Sequence, residues 1–236
     1  MKIKFPLVTI IFDDGLSSVY SKAFPLLENY GYKANVALSA SKINKKGFLK
    51  EEQIKELLSR GWALSDHTYS HLNLATATPS VVKEEIILNQ KLIQNMFRYR
   101  CRDFVFPKSR WTTSSLKVVL NYYPIAYTGT KSIGGNRLFS EGKLMLRTEI
   151  SLYEILLYGF KGTFFLKALK KYLQELAINK PEEWFIVFTH GVSRIPQLFD
   201  SPTPFFKSFL NTIETCDLTI TTTEQALRFL GLDGEE

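Results

Sequence analysis

Residues 8–15 read Val-Thr-Ile-Ile-Phe-Asp-Asp-Gly. A nearly unbroken apolar run that ends at once in two acids and a glycine is the profile of a strand buried on both faces, since parallel sheets covered by helices read as continuous hydrophobic stretches. The same grammar recurs downstream. Apolar runs at Ala34–Leu38, Trp62–Ser65, Asp103–Phe106, Ile125–Thr128, Trp184–Thr189 and Leu218–Thr221 alternate with segments of helical period. The first helical segment reaches about Tyr30 and is stopped by Gly31, and the second, Glu51–Ser59, ends at Gly61. Thr78-Pro79-Ser80 opens a long one that reaches Phe97, with a capping hydroxyl and a proline in the first turn. Thr113–Asn121, Leu152–Leu176 (with breaks at Gly159 and Gly162), Pro204–Thr215 and Thr223–Leu230 complete the series. Seven or eight strand-then-helix units predict a parallel sheet wrapped by helices and joined by right-handed crossovers. That number favours a closed or nearly closed α/β barrel over an open sheet. No linker, repeat or composition shift divides the 236 residues, so one domain over 1–236 is expected.

Composition excludes several classes. With 45% hydrophobic and 14% aromatic residues the chain can build a sizeable core. Its two cysteines, Cys101 and Cys216, are too few for a disulfide framework or a cysteine-rich metal site and are expected as free thiols. No apolar stretch approaches the ~18 residues of a membrane-spanning helix. The basic start Met1-Lys2-Ile3-Lys4 and the apolar run after it mimic a short signal peptide. That run contains Pro6 and passes straight into Asp13-Asp14-Gly15 with no small-residue cleavage site, so it reads as the first strand. With nothing marking export, the cytoplasm is the expected location. Thirty basic against 23 acidic residues give a net charge of +7, which would suit an anionic partner. No nucleic-acid module is present, and the densest basic cluster, Lys42, Lys45, Lys46 and Lys50, reads as a solvated loop.

In an α/β barrel, chemistry sits at the C-terminal ends of the strands. Three such ends carry capable residues: Asp13-Asp14, the stretch Asp66-His67-Thr68-Tyr69-Ser70-His71, and His190-Gly191. All three histidines of the chain lie just after an expected strand. His67 and His71 are four apart, so a helical turn would place both imidazoles on one face and within reach of one cation. Two imidazoles and a carboxylate leave a tetrahedral metal one open position, the arrangement of a catalytic site. Adjacent acids raise each other's pKa; a divalent cation removes that conflict by taking one as ligand and leaving the other free to act on water.

These residues resemble the carbohydrate esterase 4, or NodB-homology, polysaccharide deacetylases. Ile11-Phe12-Asp13-Asp14-Gly15 is similar to the family's first motif, T-F-D-D-G, with Ile for Thr. His67-Thr68-Tyr69-Ser70-His71 matches the second, H-[ST]-x-x-H. Phe104-Val105-Phe106-Pro107-Lys108-Ser109 resembles the third imperfectly, and Phe188-Thr189-His190 resembles the last. The likeness runs over about residues 8–230. It implies a distorted (β/α)7 barrel and metal-dependent removal of N-acetyl groups from N-acetylglucosamine-type units of a polysaccharide or glycoconjugate. It also implies an N-acetylated glycan as partner and a divalent cofactor, zinc foremost, with cobalt or nickel acceptable to the same donors. By position, Asp14, His67 and His71 would hold the metal, Asp13 would be the general base and His190 the general acid. The chemistry agrees: amide hydrolysis needs an activated water, stabilisation of a developing oxyanion and a proton for a poor amine leaving group.

Departures from the family pattern set further expectations. Val105 stands where many members carry an arginine that orients the catalytic aspartate, and Arg110 or Arg147 are the candidates to replace it. Glu141 and Glu149 are candidates for the acidic partner of His190. Pro107, Lys108, Trp111 and Arg147 are candidates for shaping the substrate groove, Trp111 by stacking on a sugar. Competing readings are a metal-dependent O-acetyl esterase, hydrolysis of another C–N bond, and a silent glycan-binding barrel. The intact Asp13, Asp14, His67 and His71 argue against the last two.

Overall fold

Eleven strands and eight α-helices are formed by the residues that this computed structural model describes, 5–130, 133–137, 144–157, 162–179 and 182–232. The strands are β1 (Leu7–Phe12), β2 (Asn35–Leu38), β3 (Ala63–Asp66), β4 (Phe104–Val105), β5 (Ala126–Thr130), β6 (Asn136–Arg137), β7 (Leu144–Glu149), β8 (Glu183–Thr189), β9 (Gly191–Ser193), β10 (Asp200–Pro202) and β11 (Thr219–Ile220). The helices are α1 (Phe24–Asn29), α2 (Glu51–Ser59), α3 (Pro79–Phe97), α4 (Thr113–Val119), α5 (Leu152–Leu157), α6 (Gly162–Asn179), α7 (Thr203–Thr215) and α8 (Thr223–Phe229).

Seven strands, β1-β2-β3-β4-β5-β7-β8, lie parallel in that order, and the pairing of β1 with β8 from Leu7↔Trp184 to Phe12↔Thr189 closes the barrel. Alternate residues point to opposite faces of a strand, and two apolar clusters result. Leu7, Ile11, Ala37, Val105, Tyr127, Trp184 and Ile186 pack with Ala226 and Leu227 of α8. Val8, Ile10, Phe12, Val36, Phe104, Phe185 and Val187 pack against the helical layer. The expected caps are in place: Thr78 Oγ1 accepts from Val81 N ahead of Pro79, and α3 buries Val82, Ile86, Asn89 and Ile93 at helical spacing. Asn89 is the one polar member of that face. Its amide donates to Leu38 O and its oxygen accepts from Ala40 N, which ties α3 to the exit of β2.

Four departures from expectation matter. Leu144–Glu149, unmarked in the sequence because Arg147 and Glu149 interrupt its apolar run, is a full stave between β5 and β8. The run Leu218–Thr221 yields only β11, paired with Leu7 and Val8 beside the start of β1, and is not a stave. Leu152–Leu176 divides into α5 and α6 with the second starting at Gly162, an expected break, and the departure is that α6 runs on to Asn179; Gly159 lies outside the described residues. The helical stretch before Gly31 divides into a π-helical turn, Val19–Ala23, followed by α1. No helix among the described residues is long and apolar enough to cross a membrane. Both cysteines are free.

Candidate active site

A cavity of about 360 Å3 opens where the strands end, lined by Asp13, Asp14, His67, His71, Lys108, Ser109, Glu149, Phe188, His190 and Phe199. Two other grooves are larger, about 510 and 560 Å3, but neither is lined by a histidine or a carboxylate. The chemistry, not the volume, marks the site.

The first contribution is the turn Asp13-Asp14-Gly15. Asp13 N continues the sheet by donating to Thr189 O at 3.0 Å. Asp14 then turns left-handed, φ 71°, and Gly15 follows at φ 69°, where an added Cβ would lie 2.8 Å from Leu38 Cδ1. The turn sends two adjacent carboxylates to different partners. Asp13 meets Arg147, whose Nη1 donates to Oδ1 at 2.6 Å and Nη2 to Oδ2 at 3.0 Å. Arg147 is fully buried, and its Cζ lies 4.2 Å from the centre of the Phe188 ring. Burial by itself would raise the Asp13 pKa; the Arg147 guanidinium outweighs it and holds the carboxyl below the ordinary range. Of the two arginines considered for this place, Arg147, on the strand that the sequence did not mark, meets Asp13, and Arg110 is exposed.

Asp14 faces the histidines. His71 Nε2 is 3.1 Å and His67 Nε2 3.7 Å from Asp14 Oδ1, and the three candidate ligand atoms lie within 4.8 Å of one another. A tetrahedral ion with bonds of 2.0–2.2 Å asks for donors about 3.4 Å apart, so the set fits one. The two imidazoles meet without the expected helical turn. Thr68 and His71 are both left-handed, φ 61° and 63°, an uncommon state for a β-branched residue that local bonds enforce. Asp66 Oδ1 accepts from Thr68 N at 2.8 Å, Thr68 Oγ1 accepts from Leu72 N at 3.2 Å, and Glu85 of α3 accepts from both Ser70 N and Ser70 Oγ at 2.8 Å. His67 Nδ1 lies 2.7 Å from Val105 O. A carbonyl can only accept, so Nδ1 carries the proton and Nε2 offers its lone pair toward Asp14. Val105 thus serves through its backbone where its side chain departs from the family pattern.

Charge states suit the same purpose. Burial lowers the His67 pKa, and burial with the neighbouring His67 takes His71 down to about 4, so both rings are neutral donors at pH 7. For Asp14 burial would raise the pKa, but His67, His71 and Lys42 together bring it to about 2. Lys42 Nζ donates to Asp14 Oδ1 at 2.9 Å. The sequence placed Lys42 in a solvated loop, and nothing in the local pattern shows that a single 3-10 turn, Ala40–Lys42, brings it back to the site.

His190 closes the cavity opposite. Its Nε2 is 3.9 Å from Asp14 Oδ2 and its ring packs 5.3 Å from Phe199. Its Nδ1 is buried without a hydrogen-bond partner among the described residues. Glu149, at the end of β7, lines the same cavity; Ser151 Oγ donates to it at 2.7 Å, and burial raises its pKa. Glu141 lies outside the described residues. Of the groove candidates, Lys108 lines the cavity. Pro107 is buried and not in the lining, Arg147 pairs with Asp13, and Trp111, 37% exposed, leans on Phe106 outside the lining.

The polysaccharide deacetylase family model matches residues 2–123. Over 110 residues the chain is 36% identical to YxkH of Bacillus subtilis (strain 168), a match that covers 47% of this chain and 39% of that relative's length. The Xyl-CE4 domain of a multidomain xylanase from the hindgut metagenome of Trinervitermes trinervoides aligns over 98% of this chain and 92% of its own, with a TM-score of 0.62 and 15% identity. A family 4 acetyl xylan esterase from Clostridium thermocellum, solved with a cobalt ion, aligns over 96% and 92%, with a TM-score of 0.61 and 16% identity. At those identities the two structures show a common fold, the (β/α)7 barrel. With just over half of its sequence, including the first three motif stretches, matched by the family model, the chain belongs to the polysaccharide deacetylase family.

Proposed function

We propose that the protein is a metal-dependent hydrolase that removes N-acetyl groups from N-acetylglucosamine-type units of a glycan. The observation that carries this reading is the three-donor cluster Asp14, His67 and His71 beside an Arg147-held Asp13 and a facing His190 in one cavity. Asp14, His67 and His71 would hold the ion, zinc or else cobalt or nickel. A divalent cation there supplies Lewis acidity toward an acyl oxygen and acidifies water.

The chain's own residues do the rest. Asp13, kept ionised by Arg147, accepts a proton from the attacking water as its oxygen adds to the acyl carbon. His190 donates a proton to the departing nitrogen as the C–N bond breaks, so that acetate and a free amino sugar result. Phe188 and Phe199 wall the cavity and limit the water around these charges, which strengthens each interaction. The test is acetate release from a panel of N-acetylated saccharides by the metal-reconstituted protein. No release from any of them, with folding intact, sinks the reading. Release from O-acetylated xylan alone would move it to an esterase.

A further inference from the structure

The cavity has a basic neighbour. After Asp14 the chain runs into residues 17–26, and after His190 it becomes β9; the two segments pack so closely that a Cβ on Gly191 would collide with Ser18 Oγ. Beside this seam runs the groove of about 510 Å3. Lys22 contributes from the first segment, Arg194 from just after β9 and Lys207 from α7. All three are exposed, no acidic side chain lines the groove, and none of the three has an acidic partner among the described residues. Leu26 and Ile195, the latter 89% exposed, give it an apolar side.

We propose that this groove is a phosphate-binding subsite, and that the glycan whose acyl group enters the cavity carries a phosphate ester that docks there. Three arguments support it. The sign of the groove is uniformly positive, within a chain of net charge +7 that attracts anions at a distance. The three cations line one groove from three separate segments, and the several acceptor oxygens of a phosphate can take donors from more than one of them. A phosphate monoester also carries close to two negative charges at pH 7, where a carboxylate carries one. The groove is also close to the chemistry: Ser193, in its lining, is three residues from His190, at most about 10 Å of extended chain. The proposal requires one ligand molecule to reach across that separation. The identity of the glycan rests on the deacetylase reading; the phosphate does not.

The experiment is calorimetry on the full chain, freed of metal so that neither oligomer is turned over, with tri-N-acetylchitotriose and the same oligomer bearing one phosphate. The phosphorylated oligomer is expected to bind about tenfold more tightly, the sum of three modest exposed charge contacts. The advantage should vanish at about 1 M salt, where the Debye length falls to ~3 Å. It should also vanish when Lys22→Gln, Arg194→Gln and Lys207→Gln are combined, with acetate release from the neutral trimer by the metal-reconstituted protein unchanged. Equal Kd values for the two oligomers, an advantage that survives in the triple variant, or an equal gain from a carboxylate-bearing oligomer would each overturn the proposal. Because Kd is read without turnover, absence of acetate release from either oligomer counts against the deacetylase reading alone.

Discussion

Arg147 of β7 grips Asp13 of β1 through two hydrogen bonds of 2.6 and 3.0 Å, passing over the Phe188 ring of the strand between them. Both side chains are buried. Removing one partner of such a pair leaves an uncompensated charge, which costs about 3–5 kcal/mol. Arg147→Met should therefore lower stability by that order. It should also free Asp13 to rise under burial, moving the acidic limb of the kcat/KM profile to higher pH. Denaturant unfolding and a pH–rate profile check the two effects separately. An unshifted limb would mean that Arg147 serves packing alone.

The metal assignment divides the two adjacent aspartates. Asp14→Asn and His71→Ala should each lose both the bound ion and activity, because each removes a donor from the 4.8 Å cluster. Asp13→Asn should keep the ion and lower kcat by about 10²–10⁴-fold, the usual contribution of a general base. Elemental analysis after reconstitution and dialysis measures the stoichiometry. If Asp13→Asn lost the ion while Asp14→Asn kept it, the two roles would be exchanged.

His190 faces Asp14 from across the cavity and is not part of the donor cluster. His190→Ala should retain metal and lose about 10²–10⁴-fold in kcat on an N-acetyl sugar. The loss should be much smaller on an aryl acetate, whose leaving group departs without a proton. A ratio of the two losses near one would remove His190 from the role of acid.

The strands that carry the motifs were legible because each is an apolar run buried on both sides, ended by its own functional residues: Asp13 and Asp14, His67, His190. The strand that matters as much, Leu144–Glu149, was not, because it buries an arginine that has a partner 134 residues away. A one-dimensional pattern scores Arg147 as surface; only the closed sheet supplies the carboxylate that makes its burial tolerable. Lys42 was hidden for the same reason, its contact with Asp14 spanning 28 residues. The His67–His71 pair was found by its spacing, but by a helical argument that the structure replaces with an irregular loop held by Asp66, Thr68 and Glu85.

A buried carboxyl away from the candidate metal site gives a prediction about stability. Asp103, just before β4, is 1% exposed and accepts from Ser65 Oγ at 2.7 Å; Asn35 links that serine to Thr223. Burial raises the Asp103 pKa from 3.8 to about 7, and the neighbouring Asp66 is raised likewise. The folded state therefore keeps a proton that the unfolded chain has already released. The stabilisation is fully present below about pH 4, declines as pH rises and is gone above about 7. Asp103→Asn presents a permanently neutral side chain of the same shape to the same hydroxyls, so it should flatten this decline. Unfolding free energies of the metal-free protein, from about pH 5 to about pH 8, make the comparison without the pH dependence of ion binding. The parent should lose more stability over that range than the variant, and parallel curves would show that Asp103 titrates as it does in the unfolded chain.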